Sequence, residues 1–205
     1  MSNKHTTINS QTTYTDQVFK VVHLEGHQIL SSEFYDCKFI RCTFAESVFS
    51  DCRFVSCTFQ GCDLSLIQLP GSTFSATRFE DSKVIGVDWT QADWNAATLG
   101  DPISFFNATL NHATFIGLKL SGIKIKDCMA SNVDFREADL SRADFSGTDL
   151  SESLFTNTDL TAADLSRARN YHIAPQQNII KQAKFSMPEA MSLLFNLDID
   201  LIEDG

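Results

Sequence analysis

Five of the six cysteines lie between Cys37 and Cys62, and thiols so gathered could bind zinc or close disulfides. Zinc sites built from cysteine use C-x2-C pairs, which let two thiolates reach one tetrahedral ion. Here the spacings are five or ten residues. His23-Leu-Glu-Gly-His27 is the other arrangement of metal-ligating types. The chain carries no Gly-rich phosphate loop, nucleophile elbow or HExxH motif. Aspartate recurs as well, at Asp63, Asp88, Asp93, Asp134, Asp139, Asp144, Asp149, Asp159 and Asp164, mostly in steps of five. Carboxylates so spaced could meet a basic partner.

The same step of five runs through the apolar residues. Every fifth position from Phe19 to Leu99, and again from Phe105 to Leu165, gives 30 centres, of which 24 are Phe or Leu. Chance placement of 35 such residues among 205 would put about five there, so the period is real. Fourteen of the 17 Phe sit on it. Two residues before each centre, 24 of 30 positions are Ala, Cys, Ser, Thr or Val, and all six cysteines belong to that column. Five matches neither a helix, with period 3.6, nor a strand, with period 2. One large and one small inward residue per five fit a chain that turns a corner every five residues. Such a unit cannot bury its own Phe, but stacked units can, so a solenoid is expected.

This register reassigns the chemistry. His23 falls in an outward column and His27 in an inward one, so they diverge. The cysteines become core fillers, and a filled rod offers no concave pocket for catalysis. No catalytic residue, metal or cofactor is expected, and the protein is not read as an enzyme. The net charge of -10, with pI near 4.8, argues against nucleic-acid binding, because phosphate contacts need Lys or Arg. No apolar stretch approaches the ~20 residues of a membrane helix. The polar N-terminus lacks the centre of a signal peptide, so a cytoplasmic location is expected, where thiols stay reduced.

The ends and one interruption depart from the period. Gln17 and His27 break the small column, so residues 1–30 read as an N-terminal cap with irregular first repeats, and 31–168 as the repeat body. Around Gly100-Asp101-Pro102 the register slips by one residue, and Trp89 and Trp94 replace Phe or Leu just upstream. A bulge or loop is expected near 95–104, read either as a tolerated corner insertion or as a functional loop. Residues 169–205 read as a C-terminal cap. Ser186-Met-Pro-Glu189 has the form of a capping box ahead of a helix with an apolar stripe at Met187, Ala190, Met191, Leu194 and Phe195. Leu197-Asp-Ile-Asp-Leu201 alternates like a short strand. A tail this short must dock on the last coil, pair with a second copy, or do both.

The best copies, ADLSR at Ala138 and ADFSG at Ala143, resemble the pentapeptide-repeat family, whose pattern is A(D/N)LXX. The resemblance implies an all-β fold, a right-handed quadrilateral parallel β-helix with four repeats per coil. Thirty repeats would make about seven and a half coils, a rod of about 36 Å. Cys37 would then stack under Cys57, and Cys42 under Cys62. LSLIQLPGSTF at Leu64, GVDWTQADW at Gly86 and the tail from Asn170 resemble the topoisomerase-protecting branch: the albicidin-resistance, microcin B17 immunity and Qnr quinolone-resistance proteins, the first most of all. Where Qnr proteins carry two sizeable loops, this chain shows only the irregularity near Gly100.

That branch implies a homodimer joined through its C-terminal segments, whose rod resembles B-form DNA. It would occupy the DNA-binding saddle of bacterial gyrase, with topoisomerase IV a second candidate, and protect it from an antibiotic that traps the cleaved complex. On this reading Asn95, Leu99, Gly100, Asp101, Pro102 and Ile103 touch the enzyme. An acidic face of Asp127, Asp134, Glu137, Asp139, Asp144, Asp149, Glu152, Asp159 and Asp164 steers the encounter, and only Arg136 and Arg142 offset it locally. Met187, Met191, Leu194, Phe195, Leu197, Ile199 and Leu201 form the dimer contact. The alternative is a structural or adaptor solenoid that binds a protein other than a topoisomerase.

Overall fold

The computed structural model describes residues 8–94, 103–197 and 199. They form a parallel β-solenoid of about eight turns. Thr13 pairs with Glu33, Phe34 with Phe54, and Phe54 with Phe74. Partners in adjacent coils thus share a register of i and i+20, and the five-residue repeats make four sides. The first side carries Thr13–Thr15, Glu33–Tyr35, Arg53–Val55 and Thr73–Ser75. The second stacks Val18–Lys20, Lys38–Ile40, Thr58–Gln60, Arg78–Glu80, Ser104–Phe106 and Lys124–Lys126. The third holds Phe44, Leu64, Val84 and Leu110 at its centres, and the fourth Phe49, Leu69, Trp89 and Phe115.

The centre of each strand points inward and stacks on its counterpart one coil away. Phe39 and Phe59 lie with ring centroids 4.4 Å apart, and Phe34 and Phe54 4.9 Å apart. Each buried ring contributes about 1.5–3 kcal/mol through removal from water, with a further ~0.5–1.5 from stacking. The small column has its own task. Ser72 Oγ donates to the carbonyl of Phe49 at 2.8 Å and accepts the N–H of Cys52 at 2.9 Å, so the inward-facing backbone of one coil is satisfied by the next. The thiols of Cys52, Cys57 and Cys62 bond in the same way to the carbonyls of Ile29, Phe34 and Phe39. A short donor fits both the space and the hydrogen bond.

Most corners, though not Trp89–Gln91, which turns as a short 3-10 helix, are closed by a left-handed residue, the second after the centre: φ is 53° at Asp16, 54° at Val21 and 51° at Asp127. That conformation costs a non-glycine residue about 1–2 kcal/mol. Hydrogen bonding along the rod offsets it, as Asp16 N–H donates to Tyr35 and Val21 N–H to Ile40, both at 3.0 Å. Gly147 is needed for space as well, since a Cβ there would collide with Asp127 Oδ1.

Four details differ from the sequence reading. Phe105 pairs with Phe79, a register of i and i+26, so the interruption lengthens that coil by six and not by one, and Phe105 opens the next side; Leu99 lies outside the described residues. His27 and Gln17 are exposed, not inward, and His27 Nδ1 lies 2.8 Å from the Glu25 carbonyl. The ladder continues past Ala168, with Asp164–Leu165 paired to Lys184–Phe185. The helix Glu189–Asn196 is a 3-10 helix without a side-chain cap. Ser186 Oγ instead accepts the Arg167 N–H at 3.0 Å, and Glu189 Oε1 accepts the Asn170 N–H at 2.6 Å. The two residues close the open end of the solenoid, where orphaned donors are otherwise left.

Candidate functional site

The outward aspartates are first of all corner builders. In eight repeats the carboxylate just before the centre accepts the N–H two residues on, from Ser65, Thr90, Arg136, Ser141, Ser146, Ser151, Thr161 and Ser166. This local bond is what an aspartate offers at a turn. Several are also ion-paired. Arg136 lies 2.6 Å from Asp134 and holds its carboxyl below the usual range. Partial burial of Asp149 opposes ionisation, but hydrogen bonds from Ser151 and Asn170 and the charge of Arg169 outweigh it and hold the group at about 2. Asp144 pairs with Lys126 at 3.0 Å and Asp164 with Lys184 at 3.4 Å.

The nine acids expected to form one face do not share one. A step of five residues is one side of the rod. Asp139 and Asp159 lie on the first side, Asp144 and Asp164 on the second, Asp149 on the third and Asp134 on the fourth. Asp127, Glu137 and Glu152 occupy three different corners, all exposed. The acids form a collar around the rod.

Of the expected loop contacts, Asn95, Leu99, Gly100, Asp101 and Pro102 lie outside the described residues. Ile103 is fully buried two residues before Phe105, in the inward column, so it is not a contact residue. Ser104 likewise begins a strand, and the coil resumes at residue 103. Eight residues therefore join Trp94 to Ile103 where a regular corner has two. At the root of this segment Trp94 is half-buried and donates from Nε1 to the Trp89 carbonyl at 2.8 Å. Trp89 is buried against Phe74, Phe79, Phe105 and Phe115. Its own Nε1 finds no acceptor among the described residues.

In the tail, Met187, Met191, Phe195, Leu197 and Ile199 are exposed, with Met187 and Phe195 each 70% so. Leu194 is half-buried, and Leu201 lies outside the described residues. The 3-10 helix turns Leu193 onto the core. Tyr171 is buried beneath the helix, and its hydroxyl is pushed up to about 12 by burial and by Glu189. Burial likewise raises the thiols of Cys57 and Cys128 to about 12.

Among the described residues no group of three or more His, Cys, Asp or Glu could hold a metal ion. No helix among them is long and apolar enough to cross a membrane.

Residues 32–102 match the family described as a pentapeptide repeat region, and 103–142 and 138–169 match pentapeptide repeats in eight copies. No curated protein matches the chain. Among solved structures it is similar to two trypsin-treated variants of QnrB1, a plasmid-mediated fluoroquinolone resistance protein. Both are 19% identical over 95% of this chain and 99% of theirs, with TM-scores of 0.69 and 0.68. Full-length QnrB1 is also 19% identical, over 91% of this chain and 100% of its own, with a TM-score of 0.50.

Proposed function

This chain belongs to the pentapeptide-repeat family, and from that premise we propose that it binds bacterial DNA gyrase in place of DNA. Topoisomerase IV is a second candidate. Bound there, it protects the enzyme from an antibiotic that traps the cleaved complex. The observation that carries this reading is a core-filled rod collared by outward carboxylates at every repeat from Asp134 to Asp164, save Leu154. Fixed negative charge on a stiff rod is what a basic DNA-binding groove is shaped to receive. The fold is of a kind that binds proteins rather than one that turns over substrate. Similarity to a fluoroquinolone resistance protein along almost the whole chain supports the antibiotic side of the reading. Quinolones and albicidin are both to be tested.

Two copies join through the exposed Met187, Met191 and Phe195, with the segment from Leu197 contributing. The test of the partner is direct. Purified gyrase should bind this protein at micromolar concentration or tighter, and added salt should weaken the complex steeply. No association at low salt, or a pull-down from lysate that returns another protein and no gyrase, would favour the adaptor alternative.

A further inference from the structure

The coil sorts the charges in a way that the five-residue repeat hides. One half of the girth runs from the corner between the third and fourth sides, across the fourth side and the next corner, to the end of the first side. Among the described residues of the coils it carries ten carboxylates and four bases: Arg53, Lys119, Arg136 and Lys181. The other half also carries ten carboxylates, but eleven bases. Six of them, Lys20, Lys38, Arg78, Lys124, Lys126 and Lys184, stand on the second side alone. The rod is thus -6 on one half and +1 on the other. A cavity of about 370 Å³ lies along the middle of the acidic half, on the corner between the fourth and first sides. It is lined by Gln11, Glu33, Asp51, Arg53 and Asp93, among others, and Asp93 adjoins the root of the 95–102 segment.

We infer that the rod docks in one rotational setting. The acidic half lies against a concave, Lys- and Arg-lined protein surface, and the lysine-bearing second side is turned away. The occupant follows from charge. A basic groove gains from ten carboxylates against four bases, whereas the second side would be repelled by it. The corner cavity gives a partner lysine or arginine room to approach Glu33, Asp51 and Asp93 without moving the backbone. This inference rests on the proposed gyrase-binding reading for its partner, but the charge polarity does not.

Two triple variants of equal net charge test it. Glu46→Gln/Glu137→Gln/Glu152→Gln removes three exposed carboxylates from the acidic half, and Asp16→Asn/Asp36→Asn/Asp81→Asn removes three from the other. On an anion exchanger the first should elute at lower salt than the second. In gyrase binding at low salt the first should lose about tenfold in affinity and the second less than about twofold. Equal elution overturns the polarity whatever gyrase does. Equal weakening of gyrase binding overturns the single docking setting. Different elution with no gyrase binding by the unaltered protein upholds the polarity and removes the proposed function.

Discussion

Phe79 and Phe105 stack with ring centroids 5.1 Å apart, almost the 5.0 Å of Phe59 and Phe79, although the chain between the first pair is longer by six. The aromatic column therefore crosses the interruption without a break. The six surplus residues fall between Trp94 and Ile103, and the ladder resumes beyond them with Phe105 on Phe79.

Deleting six residues between Trp94 and Ile103 to restore a two-residue corner should leave the protein folded. Shortening a connection from eight residues to two changes closure entropy by only about 1.2 kcal/mol, in the direction that favours folding. Thermal unfolding should stay cooperative with nearly the same midpoint. Loss of the cooperative transition would show that the segment holds the coils together. If it instead touches gyrase, the shortened protein stays folded and loses affinity.

Ile103→Ala should behave oppositely. Its side chain is fully buried beside Phe105, so the change should cost about 2–5 kcal/mol in urea unfolding. Gyrase affinity, measured well below the unfolding midpoint, should be unchanged. Weaker binding at unchanged stability would put Ile103 at the interface after all.

These two residues show what was legible. Phe105 and the period it belongs to could be read from the sequence, because inward side chains are chosen by the one property, bulk without polarity, that sequence displays. The slip could also be seen, but not its size: a register of five cannot tell one surplus residue from six. The same ambiguity misplaced Ile103 in a loop. Asp134 to Asp164 could be read as outward, yet not as lying on different sides, since that requires counting whole coils. Counting by coils would also have gathered Lys20, Lys38 and Arg78 onto one side. The capping role of Ser186 and Glu189 was recognised by pattern but given to the wrong end, because the donors they satisfy, on Arg167 and Asn170, are neighbours only in the folded coil.

Acid should reveal the paired aspartates. Asp149 is held at about 2, against about 3.9 in an unfolded chain, so its contribution to stability is present above pH 4 and is lost as pH falls towards 2. Asp134, Asp144 and Asp164 are shifted in the same direction. Urea midpoints should fall steeply over that window, and Asp149→Asn should flatten the fall. An Asp149→Asn protein with the unaltered slope would contradict the assignment.

Phe195 is 70% exposed and projects from a helix whose other face rests on the core through Leu193. Phe195→Lys combined with Met187→Lys should therefore spare the fold and break the proposed dimer. Light scattering should report half the mass of the unaltered protein. A dimer that persists would place the interface elsewhere.

The proposed role, a rod that takes the place of DNA on gyrase and shields the enzyme from a poison, is open to one assay: supercoiling by purified gyrase in the presence of a fluoroquinolone or albicidin, with this protein titrated in. Supercoiling should be restored at micromolar protein, with less linear DNA from the trapped complex and with inhibition of the unpoisoned enzyme as the rod begins to compete with DNA. No restoration with either poison, together with no inhibition, would contradict it.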